Sequence, residues 1–79
     1  MKHPFDVHVG SKLRHCRRLA GMSRQQLGDK LSIDAQEIQK LESGADHIDS
    51  TLMRQIVFAM DVPASVFFEG LADALSEAA

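Results

Sequence analysis

The chain has 79 residues, of which 44% are apolar and 25% are charged. This composition is typical of a globular protein, and the length suits one domain, because two cores of half this size would each be too small to be stable. A single cysteine excludes an internal disulfide and a cysteine-rich zinc site, which favours a reducing compartment.

No apolar segment approaches the ~20 residues that a membrane-spanning helix needs, and the first residues lack the apolar stretch of a secretion signal. We therefore expect a cytoplasmic protein with no membrane partner. The expected organisation is one domain over residues 1–79, with a core over about residues 7–70 and a C-terminal tail over residues 71–79.

The net charge of −2 is distributed unevenly along the chain. Residues 1–40 contain eight Lys and Arg against four acidic residues, whereas residues 41–79 contain one Arg against seven acidic residues. A basic surface on an otherwise acidic molecule indicates a partner that carries phosphate, because affinity for phosphate depends on the local cluster of charges. A dipolar surface with no partner is the alternative interpretation.

Helix signals recur along the chain, and strand signals are nearly absent. The first apolar stripe has the spacing of one helix face and comprises Val9, Leu13, Cys16 and Ala20. It predicts a first helix over about residues 7–20, ended by Gly21. Because Cys16 lies on the apolar face, a small buried thiol is preferred to a redox sensor.

A second helix is predicted over Arg24–Leu31. Ser23 precedes it as an N-cap, and Gln26 has the spacing that completes a capping box. Only residues 32–33 separate this helix from the next capping signal. Two short helices joined by so short a turn must cross at a steep angle, which is the geometry of a helix-turn-helix.

The third helix is predicted to begin after Asp34 as the cap, with Glu37 as the partner in a second capping box, and to end at Ser43 before Gly44. At 100° per residue, its apolar residues mark one buried side. The opposite face comprises Ala35, Gln36, Gln39, Lys40 and Ser43. Amides and a methyl group on one face suit the edges of adenine and thymine, and Lys40 suits a phosphate or a guanine edge. An ordinary solvated helix face is the alternative.

A fourth helix follows, with Asp49 or Ser50 as its cap, and residues 61–63 break it. Its predicted apolar face comprises Leu52, Ile56, Ala59 and Met60. A short fifth helix over residues 64–69 brings Phe67 inward and Phe68 outward. Residues 71–79 then either continue as a helix or fray.

The segment G-M-S-R-Q-Q-L-G-D-K-L-S-I-D-A-Q-E-I-Q-K-L-E-S-G resembles the Cro/CI-type helix-turn-helix family of phage-repressor and XRE-like regulators. The resemblance covers about residues 7–70 and includes the R-x-x-x-G pattern that ends at Gly21. It implies an all-α, five-helix lambda-repressor-like domain with the helix-turn-helix in helices two and three. It also implies a bacterial or phage-encoded transcriptional regulator that binds a palindromic operator in double-stranded DNA as a homodimer.

In the family, the third helix enters the major groove and the second helix crosses the DNA backbone. Carried over position by position, the base-reading residues are Ala35, Gln36 and Gln39. The residues expected to contact phosphate are Arg24, Lys40, Ser43 and Arg17. The resemblance further implies a partly buried ion pair between Arg17 and Glu42 that serves as scaffold.

The chain departs from the family pattern at several positions of this segment. Arg24 replaces the usual Gln, Ser32 replaces a turn Gly, and Gly28 replaces an Ala. Asp46 and His47 occupy a loop where related proteins often carry Lys or Arg. If the turn requires a positive φ, Ser32 would adopt it with modest strain.

No arrangement of nucleophile and base, glycine-rich phosphate loop or metal-ligand spacing is visible, so we expect no enzyme activity, cofactor, metal or small-molecule effector. Phe68, Leu71 and Leu75 form a candidate dimer surface or else a lid on the core. The alternative function from a different class is a protein-interaction module of antitoxin-like or adaptor type, which would use the acidic C-terminal half.

Overall fold

The computed structural model describes residues 2–78 and contains five α-helices, with no strand among these residues. In chain order the α-helices are α1 (Pro4–Leu19), α2 (Arg24–Leu31), α3 (Ala35–Ser43), α4 (Ser50–Met60) and α5 (Leu71–Ala78), and a 3₁₀ helix over Ala64–Phe68 lies between α4 and α5. The all-α, five-helix fold expected from the sequence is confirmed.

Helix α1 begins earlier than its apolar spacing predicts, because signals other than periodicity start it. The His3 side chain accepts a hydrogen bond from the backbone N–H of Phe5 (3.1 Å), and Pro4 occupies the first helical position, where its missing N–H has no consequence. At the other end, the prediction that Ala20 lies on the buried face is wrong. Ala20 is the exposed C-cap, and Gly21 follows it with a φ of 71°.

Helix α2 has the predicted bounds and the predicted capping box. The Ser23 hydroxyl accepts from the N–H of Gln26 (3.0 Å), and the Gln26 side-chain oxygen accepts from the N–H of Ser23 (2.8 Å). The helix ends at Ser32, which has the left-handed φ of 59° that the family supplies with Gly. This serine therefore carries the modest strain expected of it.

Gly28 allows the turn of the helix-turn-helix to close tightly. A Cβ built on Gly28 would clash with the backbone oxygen of Ile33, so the first residues after α2 lie directly against it. An alanine, which the family usually has here, would require the turn to shift. The short connection between α2 and α3 therefore packs directly against Gly28 of α2.

Helix α3 has its predicted cap but lacks the predicted capping box. The Asp34 carboxylate accepts from the N–H of Glu37 (2.8 Å), as expected. The return bond from Glu37 is not formed, and the Glu37 carboxyl lies beside that of Asp46 in the loop after α3. The helix ends as predicted at Gly44, which has a φ of 81°.

The C-terminal third differs from the prediction in one element. Asp49, rather than Ser50, caps α4 through a bond from the N–H of Leu52 (2.8 Å). The fifth predicted segment is a 3₁₀ helix and not an α-helix, and Phe67 within it is fully buried, as predicted. Residues 71–78 form α5, so the helical alternative for the tail is the observed one.

One hydrophobic core joins the elements. Helix α1 packs across α3, the 3₁₀ helix and α5, while α2 packs on α3 and α4. The buried apolar residues of the described chain are Val9, Leu13, Cys16, Leu27, Ile38, Leu41, Ile48, Ile56, Met60 and Phe67. Within residues 2–78 no single helix has the length and apolarity to cross a membrane; only the bent pair Ser50–Met60 and Ala64–Glu77 meets those criteria jointly.

Candidate nucleic-acid interface

Helix α3 has one face in the core and one face in solvent. Ile38 and Leu41 are buried, whereas Gln36 and Gln39 are exposed. Ala35 is half-buried at the N-terminal end of the same outer face. The two amides therefore lie together on the molecular surface, where each can donate and accept hydrogen bonds at once, as pairing with an adenine edge requires.

The C-terminal half of this face is only partly available to a phosphate. Lys40 is exposed and has no ion-pair partner among residues 2–78. The Ser43 hydroxyl, by contrast, donates its hydrogen to the backbone oxygen of Lys40 (3.1 Å). Since phosphate oxygens accept hydrogen bonds, Ser43 would have to break this bond to contact one.

Arg17 and Glu42 form the ion pair expected between α1 and α3. Arg17 Nε lies 2.6 Å from Glu42 Oε2, Arg17 Nη2 lies 3.3 Å from Glu42 Oε1, and Arg17 Nη1 donates to the backbone oxygen of Met22 (2.8 Å). The Arg17 side chain is only 10% exposed. Its guanidinium is thus held in the scaffold, which leaves little surface for the predicted contact between Arg17 and phosphate.

Arg24 also forms an ion pair with the Glu42 carboxylate, and the sequence did not indicate this contact. Arg24 Nε donates to Glu42 Oε1 (3.1 Å), and the Arg24 side chain is 38% exposed. Its terminal Nη groups have no protein partner among the described residues. One buried carboxylate on α3 therefore holds an arginine from α1 and an arginine from α2. No spacing rule predicts this contact, because only the crossing of α2 over α3 brings the two side chains together.

Two carboxyl groups meet beside the N-terminal half of α3. A side-chain hydrogen bond in which the Glu37 carboxyl donates to Asp46, followed by burial, raises the pKa of Glu37 above its usual value of 4.5. The loop position of Asp46, where relatives often carry a cation, thus adds negative charge near the exposed amides. The pair opposes the binding of a polyanion at this end of the helix.

The raised pKa of Glu37 predicts a specific dependence of folding stability on pH. Because the folded state holds the proton more tightly than the unfolded state, the stabilising contribution is fully present below pH 4.5 and is lost as pH rises through the folded pKa. We expect Glu37→Gln to remove this component from the urea-unfolding free energy measured between about pH 4 and pH 7. An unchanged pH profile in the variant would contradict the paired carboxyls.

The predicted dimer surface is partly exposed. Phe68 is 41% exposed and Leu75 is also exposed, whereas Leu71 is half-buried. The ring centroid of Phe68 lies 6.3 Å from that of Phe5, and both rings line a shallow groove of about 390 Å³ at the N-terminal end of α4. Leu71 therefore offers less apolar surface than predicted.

Sequence reasoning missed the most exposed aromatic residue. Phe58 on α4 is 90% exposed and lies outside the predicted dimer surface. The apolar stripe of α4 gave no reason to single it out, because an isolated apolar residue on a surface is common. A second feature that the sequence did not indicate is the contact between His47 Nδ1 and Asp6 Oδ1 (2.6 Å), which joins the loop after α3 to the first turn of α1.

Other chemistry is not assembled in the described part of the chain. No three His, Cys, Asp or Glu side chains within residues 2–78 come together in a way that could hold a metal ion. Cys16 is buried, and burial raises the pKa of its thiol, so the thiolate needed for redox or nucleophilic chemistry is disfavoured at neutral pH.

The chain is similar to known proteins both in sequence and in overall fold. Residues 8–75 match the family model described as a helix-turn-helix domain. A protein of Sinorhizobium medicae (strain WSM419), named as an uncharacterized HTH-type transcriptional regulator, is 42% identical over 67 residues, which cover 85% of this chain and 48% of that protein. A second, with the same coverage and identity, comes from Rhizobium meliloti (strain 1021). The chain thus spans about half the length of these relatives.

Among solved structures, the chain is similar in fold to the clp gene regulator ClgR from Corynebacterium glutamicum. The TM-score is 0.82 at 20% identity, covering 94% of this chain and 80% of that one. It is also similar to the restriction-modification controller protein C.AhdI from Aeromonas hydrophila, with a TM-score of 0.73 at 22% identity and coverage of 78% and 90%. At these identities, the likeness shows a shared fold.

Proposed function

Since the chain belongs to the helix-turn-helix domain family, we propose that it is a transcriptional regulator that binds double-stranded DNA sequence-specifically through α3 in the major groove. The observation that carries this proposal is the solvent-facing pair of amides, Gln36 and Gln39, on a helix whose opposite face is buried. Buried side chains could not reach base edges, and an outer face without amides would have no means of pairing with adenine.

Five residues of this surface have a role in the proposal. Gln36 and Gln39 contact base edges, and the methyl of Ala35 packs on a thymine methyl. Arg24, in the first turn of α2, and Lys40, on α3, contact backbone phosphates. The positive end of the α2 dipole favours an anion beside Arg24. Arg17 is left out, because its guanidinium is held in the scaffold.

The proposed binding unit is a homodimer on a palindromic operator. One module of this size buries only about 600–1,000 Å² on DNA, and a second copy doubles the reading surface. A two-fold dimer places its α3 helices about 34 Å apart, which is one turn of the duplex. The candidate contact between the two copies is the surface formed by the exposed Phe68 and Leu75 with the half-buried Leu71.

The base-reading role predicts how substitutions change affinity. An operator selected from random duplexes should bind with an affinity that falls steeply with salt, because phosphate contacts release counterions. We expect Gln36→Ala to lose about 1–3 kcal/mol at one base pair and little at the others. The measurement is fluorescence anisotropy with single-base-pair variants of the operator.

The matched control is Gln55→Ala, which removes an exposed amide from α4 and should leave affinity unchanged. If Gln36→Ala and Gln55→Ala behave alike, α3 does not read bases. If no duplex binds at low salt, the regulator proposal fails and a protein-interaction module becomes the better description.

The dimer surface is tested with two exposed phenylalanines. We expect Phe68→Ser to lower the molecular mass in solution from dimer to monomer, because it replaces an apolar contact with a hydroxyl. Phe58→Ser changes a more exposed ring outside the proposed surface and should leave the mass unchanged. Sedimentation equilibrium distinguishes the two. The reverse result would move the contact between copies to α4.

A further inference from the structure

The three-residue network around Glu42 has an excess of positive charge directed outward. Glu42 lies in the interior with its side chain 2% exposed, and it faces two guanidinium groups, those of Arg17 and Arg24. Arg17 alone can neutralise the carboxylate, through bonds of 2.6 and 3.3 Å. The charge of Arg24 is therefore surplus to the scaffold, and its side chain is the exposed member of the three.

We propose that Glu42 is a positioning residue for DNA binding, which orients Arg24 so that the outer edge of its guanidinium meets a backbone phosphate. This inference rests on the proposed function. It gives Glu42 a role beyond the structural ion pair, and it gives Arg24 a fixed orientation that the glutamine usual at this position would not need.

The geometry that carries the inference is the direction of one bond. Arg24 donates through Nε to Glu42 Oε1 (3.1 Å), which leaves both terminal Nη groups without a protein partner among residues 2–78. Because a guanidinium is planar and rigid, the bond from Nε–H to Glu42 restricts the directions in which the edge with the two Nη groups can point. That edge is the fork that binds a phosphate through two parallel hydrogen bonds.

Glu42 can hold this direction because it is itself held. Its two oxygens accept from Arg17 on α1, and Arg17 is fixed in turn by the backbone oxygen of Met22 (2.8 Å). A buried carboxylate that accepts hydrogen bonds on both oxygens has few rotamers available. Because Arg24 is bonded to this fixed group, it loses less conformational freedom when a phosphate binds than a free surface arginine would. A lysine at this position would keep the charge but would have neither the Nε donor nor the fork.

A positioning role for Glu42 and a simple charge effect predict opposite changes in DNA affinity for Glu42→Gln. Glu42→Gln removes a negative charge from the side of the molecule that would face a polyanion, so a charge effect alone raises affinity for DNA. If Glu42 positions Arg24, affinity falls instead, by about threefold, since the amide is a weaker acceptor for a guanidinium. In an Arg24→Ala background the same substitution should no longer lower affinity.

The experiment measures the affinity of the full chain for a random-sequence duplex by fluorescence anisotropy at about 50 mM salt, where phosphate contacts dominate. The variants are Arg24→Lys, Arg24→Ala, Glu42→Gln and the double variant Arg24→Ala/Glu42→Gln, each checked for folding by circular dichroism. We expect Arg24→Lys to lose about fivefold despite its conserved charge, and Arg24→Ala to lose about tenfold. If Glu42→Gln does not fold, equal binding by Arg24→Lys and the wild type still overturns the inference, because the Nε donor to Glu42 would then be unnecessary.

The outcomes separate this inference from the function on which it rests. If the wild type binds and Arg24→Lys binds equally well, or if Glu42→Gln raises affinity in both backgrounds, then Glu42 does not position Arg24 although the protein binds DNA. If the wild type binds no duplex at this salt, the proposed function itself fails, and the positioning role fails with it. A loss of affinity on Glu42→Gln that is seen with Arg24 in place and is absent in the Arg24→Ala background supports the inference.

Discussion

Gly10→Ala should destabilise the protein by about 3 kcal/mol, although a glycine-to-alanine change inside a helix ordinarily stabilises it by about 0.5–1 kcal/mol. A Cβ built on Gly10 would clash with the backbone oxygen of Leu41 and would lie 2.7 Å from the backbone oxygen of Glu42. Both contacts are with the backbone of α3, so no side chain can rotate away, and α1 and α3 would have to separate. Urea unfolding at neutral pH measures the loss.

The contrast for this substitution is Gly21→Ala, which adds the same methyl group where nothing lies within 4 Å. Gly21 has a φ of 71°, so the cost there, about 1 kcal/mol, comes only from the left-handed backbone. A small domain has a stability of about 5 kcal/mol at the low end, so Gly10→Ala should remove most of it. If Gly10→Ala proved as stable as the wild type, the close crossing of α1 over α3 would be incorrect.

Removing Glu42 should cost more than removing Arg17, although the two residues form one ion pair. Glu42→Met leaves the Arg17 guanidinium in the interior with the backbone oxygen of Met22 as its remaining partner, and breaking a buried pair in this way costs about 3–5 kcal/mol. Arg17→Met leaves the carboxylate with Arg24, whose Nε already donates to it. We expect that variant to lose about 1–3 kcal/mol.

Urea unfolding of the two variants and of Arg24→Ala tests this ordering. Arg24→Ala removes a partly exposed arginine and leaves the neutral pair of Arg17 and Glu42 intact, so it should cost at most about 1 kcal/mol. Equal losses for Glu42→Met and Arg17→Met would mean that Arg24 gives the carboxylate no support in the folded protein. The contact of Arg24 with Glu42, which the sequence did not predict, is therefore measurable in stability as well as in DNA affinity.

The local elements were predictable because their causes are local. The capping box of Ser23 and Gln26 and the caps at Asp34 and Gly44 involve residues at most four apart, so the sequence specifies them without the fold. Where a local signal had a competitor elsewhere in the chain, the prediction failed. Glu37 could bond back to its own cap or to Asp46, and only the folded loop brings Asp46 within reach.

The candidate site divides in the same way. Periodicity alone identifies Gln36 and Gln39 as outward-facing, because Ile38 and Leu41 fix which side of α3 is buried. The pairing of Arg17 with Glu42 came from the family resemblance. The second arginine on that carboxylate did not, because the family has a glutamine where this chain has Arg24.

The sequence by itself determined the bounds and N-caps of α2 and α3 and the outward face of α3, since these depend on interactions within about one helical turn. Only the tertiary structure decided which charges share a partner, how near α1 comes to α3 at Gly10, and which aromatic rings remain in solvent. Those features join residues far apart in the chain, such as Arg24 and Glu42, and depend on the angle and distance at which the helices cross. Crossing geometry is set by the packing of the whole core and has no local sequence signal.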